Sequence, residues 1–358
     1  MLEIVVKKLN DLAPDEREAW CRIQQSAAAY DSPYFRPEFS LAVAAHRTDV
    51  RLAVLAEKGR PVGFFPYQTG RFGIGVPVGG RLSDFHGVIV EPGAEWNAAQ
   101  LIRACGLRSW EFGHLIASQP QFASHHAAVA DSPYMDLSNG FEAYVAERAA
   151  SGTEGVRQTF RKLRKLEREV GPVRLLPHTT DPVVFDKLLD WKIQQYLATG
   201  FTNVLSFPWV RSVLSRIAHE SHPHFEGMLS ALYAGDHLVA VHFGMRSDKV
   251  LHAWFPAHDR EWGKYSPGNI LTVLLARECE ALGVSRLDFG KGSEKFKLTF
   301  GNGSLKVAEG NVDVQPLVTF ARRSFATTRS WVKNGPWREH AAKPVALFRR
   351  FREWLAFQ

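Results

Sequence analysis

Between Asp288 and Lys297 the chain sets out Asp-Phe-Gly-Lys-Gly-Ser-Glu-Lys-Phe-Lys, which gathers two carboxylates, a hydroxyl and three lysines. A carboxyl group whose pKa is lifted toward the working pH can take a proton from an acceptor, and Asp288 and Glu294 are the candidates. The open alternative for Asp288 is an ion pair with Arg286, two residues away on the same strand face. Lys295 and Lys297 could close over phosphates or a sugar. His242 and His252 fall on two neighbouring strands and are further candidates for proton transfer. A two- or four-residue turn between those strands sends the two rings to opposite faces, and a bulge or a three-residue loop brings them together. Asp84 and His86 could line a substrate cleft between two halves of the chain, and the open alternative for Asp84 is a turn residue. His219, His222 and His224, with Glu220 and Glu226, invite a metal, but Pro223 stands where HExxH needs its second histidine. A solvated loop is the reading there, and no metal is expected.

The elements that hold these groups follow from local pattern. Ser266-Pro267-Gly268-Asn269 starts a helix, with Ser266 as a capping oxygen and proline at the first helical position. Leu271, Leu274, Leu275 and Leu282 continue an apolar stripe that Gly283 ends. Residues 284–289 read as a strand with Leu287 and Phe289 on one face, Arg286 and Asp288 on the other. The charged loop therefore begins at a strand's carboxyl end, where open α/β sheets bind ligands.

At 358 residues, 45% hydrophobic and 23% charged, the chain has room for two ordinary globular units. Cys21, Cys105 and Cys279 form neither a disulfide framework nor a zinc pattern, which points to a reducing compartment. No signal-peptide run or apolar span is present, so a cytoplasmic location is expected. The net charge of +7 is local. Residues 320–358 alone carry a net +7, and residues 157–168 carry six basic side chains against Glu167. The tail, with Val345, Phe348, Phe351 and Leu355 on one helical face, suits either peripheral contact with an anionic inner membrane or docking on the protein's own surface. Interleaved aromatics are missing from the basic helix, so DNA is not expected as a partner.

Residues 52–66 lie without gaps on residues 229–243, strand, tight turn and strand in both, with Leu52/Leu229, Leu55/Leu232 and Val62/Val239 identical. The pattern predicts an α/β (α+β) fold of tandem units, each a mixed twisted sheet flanked by helices. The expected divisions are an amino-terminal unit over 1–140, a helical connecting region over 141–225, a catalytic unit over 226–319 and a basic helical tail over 320–358.

Several of these residues also carry a resemblance. Ser266-Pro267-Gly268, Asp288-Phe289-Gly290-Lys291-Gly292, Lys295-Phe296-Lys297, Phe65-Pro66, the LSDFH at 82–86 and the RKLRKLERE at 161–169 resemble the CelD-like acyltransferases of the GNAT superfamily. That family is related to the FemABX aminoacyltransferases and linked to bacterial cellulose and exopolysaccharide synthesis. The resemblance covers about residues 30–305 and implies tandem GNAT-like units. It further implies acetyl-CoA or another acyl-CoA as donor, with Ser266, Gly268, Asn269, Lys295 and Lys297 gripping it. A saccharide acceptor near Asp84 and His86, and association with an exopolysaccharide synthesis machinery, are implied as well. Pro267 removes one amide donor from the pyrophosphate-binding helix start, which keeps aminoacyl-tRNA open as the donor. A non-catalytic, GNAT-like regulator of polysaccharide synthesis is the third reading.

Overall fold

A computed structural model describes residues 2–315; the expected basic tail at 320–358 lies outside the described residues. The chain opens with β1 (Leu2–Lys8), α1 (Pro14–Gln25) and α2 (Pro37–Ala44). Next come β2 (Val50–Glu57), β3 (Arg60–Thr69), β4 (Ile74–Pro77), β5 (Ile89–Val90), α3 (Ala98–Ala104), β6 (Ser109–Ile116) and β7 (His126–Asp136). Helices α4 (Phe141–Ala150) and α5 (Gly155–Glu169) lead into β8 (Val173–Leu176), α6 (Pro182–Thr199) and α7 (Pro208–Ala218). The remainder is β9 (Ser221–His222), β10 (Phe225–Ala234), β11 (His237–Arg246), β12 (Val250–His258), α8 (Pro267–Glu278), β13 (Arg286–Asp288), α9 (Lys295–Phe300) and β14 (Gly303–Asp313).

All strands join one mixed sheet, ordered β1-β2-β3-β4-β6-β14-β7-β13-β12-β11-β10-β8, with β5 on β3 and β9 on β10. The fold is the expected tandem α/β arrangement, and the halves interlock: β14 is inserted between β6 and β7. The stretch over 141–225 is helical apart from β8, which pairs with β10 at the sheet's far edge, and the short β9. The two matching hairpins are β2–β3 and β10–β11. Each carries a register irregularity at the corresponding place, after Leu55 in one and after Leu232 in the other. A shared bulge is a stronger mark of duplication than three identities, because it is a property of backbone path.

Amphipathic helices cover both faces. α1, α2, α6 and α7 bury Trp20, Phe39, Leu188 and Leu214 with Phe243 and Met245 of the sheet. On the other face α4, α5 and α8 bury Tyr144, Leu166 and Leu274 with Leu251 and Leu287. A third core under α3 centres on Trp110 and Phe122. One local expectation is corrected. α8 stops at Glu278, so Leu282 and Gly283 (φ +70°) belong to the turn beyond it. The segment holding Asp84 and His86 is an irregular excursion between β4 and β5, with a single bridge from His86 to Leu115.

Candidate active site

The parallel ladder between β12 and β13 runs Val250↔Arg286, Leu251↔Leu287 and His252↔Asp288, then stops. Residues opposite one another on a ladder share a face, so His252 and Asp288 emerge side by side, and both are buried. Asp288 Oδ1 lies 3.8 Å from His252 Nδ1 and accepts the Gly290 N–H at 2.9 Å. Arg286 Nε stands 3.9 Å from the other carboxylate oxygen. On its far side His252 Nε2 meets Asp84 Oδ2 at 2.9 Å. Asp84 arrives from the amino half on the excursion at 78–85 and keeps 28% of its side chain exposed. Trp254 pins that excursion by donating from Nε1 to Leu82 O at 3.1 Å. Gly290 makes the close approach possible: its φ is +70°, and a Cβ there would stand 3.0 Å from Asp84 Oδ2.

Burial alone would drive the His252 imidazole toward neutrality, but Asp288 and Asp84 outweigh it and lift its pKa to about 9. Burial likewise favours a protonated Asp84, yet the His252 hydrogen bond and charge, helped by His114 and Lys297, hold its carboxyl below the usual range. His252 is thus held as the imidazolium against an ionised Asp84, which is the solvent-facing end of the row. Two neutral imidazoles stand beside it. His114 Nδ1 lies 3.0 Å from Ser83 O and 3.8 Å from Asp84 Oδ1, and burial lowers its pKa. His86 Nε2 accepts the His114 backbone N–H at 3.1 Å, and burial pushes its pKa well below the ordinary value. Tyr34, from the loop before α2, packs edge-on against His252 at 5.0 Å and against Trp254 at 6.0 Å.

Other candidates take different places. The register sets His252 opposite Met245, so His242, three residues earlier on β11, leaves the other face. His242 is buried, burial takes its pKa down to about 3, and neither ring nitrogen has a hydrogen-bond partner. It therefore stands apart from the row. Glu294 is largely exposed and pairs with Lys297 at 3.2 Å. Lys297 is buried, and its Nζ donates to Lys291 O at 2.7 Å and Gly290 O at 3.3 Å. Those bonds make Lys297 the clamp of the loop that carries Gly290, and its charge reaches Asp84. Lys295 is exposed at the start of α9.

Beyond His252, β12 continues to His258, and among the described residues no strand pairs with its β13-side edge. α8 begins beside that edge. Ser266 sits in the left-handed region (φ +54°, ψ +57°) and caps through its backbone, as Asn269 N and Ile270 N donate to its carbonyl. The expected side-chain cap is absent; instead the Ser266 hydroxyl accepts from Lys162 Nζ at 2.6 Å. A Cβ on Gly268 would come 3.8 Å from His258 Nδ1. Lys264 and Lys165 lie over the Tyr265 ring at 4.7 Å and 6.0 Å. The basic helix α5 is thus docked at the start of α8, where the amide groups favour an anion.

Residues 155–298 match the model of the acetyltransferase (GNAT) domain. The chain carries a GNAT acyltransferase domain. In general such a domain takes its acyl group from acyl-CoA, and the end of the β12–β13 ladder, the start of α8 and the α5 lysine all fall inside it. The C-terminal (DUF2156) domain of a protein assigned as lysylphosphatidylglycerol synthetase from Agrobacterium fabrum is similar in structure. Its TM-score is 0.54 at 12% identity, over 88% of this chain and 96% of that one. FemX gives a TM-score of 0.53 at 8% identity, over 85% and 98%. A tandem GNAT protein from the clavulanic acid biosynthesis pathway gives 0.50 at 11%, over 88% and 99%. These likenesses concern the fold. No curated protein matches the chain.

No cluster of three or more metal-ligating side chains occurs among the described residues, and none of their helices is long and apolar enough to cross a membrane. His224 pairs with Asp248, and His219 with the carbonyl of Ser215. Sequence reasoning missed His114, Tyr34, Lys162 as an individual residue, Lys192 and Tyr196. A signal existed for Lys192, which breaks a four-residue apolar repeat. Tyr34 lies in a loop whose destination only the tertiary structure fixes.

Proposed function

We propose that the protein transfers an acyl group, acetyl in the simplest case, from acyl-CoA to an amine or hydroxyl of a sugar-type acceptor. The observation that carries this reading is the Asp84–His252–Asp288 row at the end of the β12–β13 ladder. The donor lies along the free edge of β12 at 253–258, with its phosphates at the start of α8 beside Lys162. Backbone N–H groups on that edge, from which Pro256 is missing, polarise the thioester carbonyl. The acceptor's nucleophile attacks directly. Asp84, kept ionised by the imidazolium behind it, accepts a hydrogen bond from the attacking N–H or O–H and its negative charge stabilises the cation that forms on an attacking amine; as the C–S bond breaks, the acceptor's proton leaves and the CoA thiolate departs as the thiol. Asp288 acts one place further back, holding His252 protonated and oriented. The exopolysaccharide precursor implied by the residues at 82–86 and 288–297 is the first acceptor to test.

Calorimetric titration of acetyl-CoA, with CoA as control, tests the donor. Micromolar binding by the wild type is expected, followed by thiol release with amino-sugar acceptors. Absence of binding by any acyl-CoA would overturn the reading.

One observation favours a second reading, an aminoacyl-tRNA donor. α5 carries Arg157, Arg161, Lys162, Arg164, Lys165 and Arg168, of which Lys162 and Lys165 meet the start of α8 at Ser266 and Tyr265, and the helix as a whole holds more cationic side chains than one nucleotide needs. Competition between tRNA and acetyl-CoA for this face, lost in a charge-reversed α5, would separate the two donors.

A further inference from the structure

The buried positions of α6 are Val184, Leu188 and Lys192, one every four residues, so a lysine occupies the third place in a core-facing stripe. Its Nζ donates to Pro256 O of β12 at 3.0 Å and lies against the Tyr196 and Phe255 rings at 5.6 Å and 6.0 Å. No carboxylate lies within ion-pair distance of it among the described residues, and Pro256 O is the one partner of its three N–H groups. A buried ammonium without a counter-charge is costly, and burial pulls its pKa down to about 8. Packing does not call for such a residue; leucine would continue the stripe.

Its surroundings say what the charge is for. Tyr196 follows one turn later on the same face of α6, and the Asp84 carboxylate is felt at its hydroxyl, which burial first and Asp84 second push up to about 12. A bulge in β12 sets Phe243 opposite Phe255 and Gly244 opposite Ala253, leaving Trp254 as the extra residue. Trp254 stacks near Phe243 and faces Tyr34, on the face that also bears His252. Between α6 and β12 there is therefore a cation at Lys192, a tyrosine beside it, and a carboxylate at Asp84.

We infer that the acceptor is bipolar: it presents its nucleophilic amine to Asp84 and a carboxylate or phosphate to Lys192. This rests on the reading of Asp84 as the group that meets the nucleophile. An acceptor with hydroxyls alone leaves the lysine charge unanswered, whereas an anionic group supplies the counter-charge that the protein does not. The same arrangement fixes the acceptor's orientation, because a molecule turned end for end would set like charges together.

Matched amino sugars test it: glucosamine, glucosamine 6-phosphate and the C6 carboxylate analogue, each titrated calorimetrically into the full chain. The wild type should bind one anionic member at least tenfold more tightly than glucosamine, and the stronger of the two identifies the anion. Lys192→Gln should erase the preference and Lys192→Arg should keep part of it. Equal binding of all three sugars by the wild type, or binding of none, overturns the inference without recourse to any variant. A preference that survives in folded Lys192→Gln overturns it too. Thiol release from acetyl-CoA, followed in the same samples, separates this inference from the transfer reading. Anion-selective binding without thiol release upholds the bipolar site and sinks the transferase assignment. Thiol release to all three sugars alike does the reverse.

Discussion

The two halves of the sheet repeat one plan and use it in opposite ways. In the carboxyl half, β12 parts from β13 after three paired positions and leaves a backbone edge free. In the amino half the corresponding strand is never released. β4 pairs with β6 through Ile74 and Gly75, and after the excursion at 78–85 the chain returns so that His86 bridges Leu115. His86 N donates to His114 O, and Ile116 N donates to His86 O, so the protein's own backbone occupies the place a donor would take. The helix starts differ in the same sense. Asn97 Oδ1 accepts the Gln100 N–H and satisfies the start of α3 internally, whereas the Ser266 side chain caps nothing and faces a lysine. One unit has closed its slot, and the interruption in its strand carries Asp84 into the other unit's site. On the proposed reading, two frameworks of one plan share a single site.

The largest effect should come from cutting the link between the halves. Asp84→Asn or His252→Ala is expected to lower acyl transfer by about a thousandfold, with acetyl-CoA affinity within twofold of wild type. Steady-state rates beside calorimetry check this, and a tenfold loss or less would mean that the row is structural.

The second test uses pH. The folded pKa of His252 is raised, so its contribution to stability is complete below the ordinary value near 6.5 and is lost as pH rises through about 9. Its upper bound is about 3 kcal/mol. Denaturant melts between pH 6.5 and 9.5 should show the decline in the wild type and a much shallower one in Asp84→Asn. The lowered histidines, His86 and His114, work in the other direction, and their contributions fade as pH falls below their ordinary value.

The helix starts provide the third and fourth. Lys162→Ala should weaken acyl-CoA binding about tenfold with an unchanged melting temperature, if the residue meets the donor's phosphates as proposed and supports no core. Asn97→Ala should do the converse, costing about 1 kcal/mol of stability with donor affinity untouched. If Asn97→Ala weakened donor binding, the amino unit would not be the closed one.

Much of this was legible in the sequence wherever a local pattern decided it. The strand at 286–288, the helix starting at Pro267, the basic helix and the paired hairpins follow from periodicity, proline position and turn chemistry, and Asp288 and His252 were nameable from them. The partner of His252 was not, because the Asp84 contact spans 168 residues and depends on an excursion without repeating pattern. The places of His242 and Lys297 were not legible for a related reason. A buried histidine and a buried lysine look like chemistry in a string of letters, and only the register and the carbonyls around Nζ show one facing away and the other clamping a loop. Ser266 misled because serine before proline suggests a side-chain cap, while its left-handed backbone makes the cap from its carbonyl instead.

The placing of β14 between β6 and β7 has a consequence for how the molecule comes into being on the ribosome. The two neighbours are synthesised roughly 170–200 residues earlier, so at ordinary elongation speed their facing edges wait roughly 10–40 s for the strand that fills the gap. For that interval the nascent amino half carries two unpaired borders, the kind of surface that invites pairing with a stranger. A chain released before residue 303 would keep every side chain of the acidic row yet lack the strand that locks β7 against β6, and β7 is what β13 leans on. Production of the intact protein should therefore depend on folding helpers to a degree that its finished stability would not suggest.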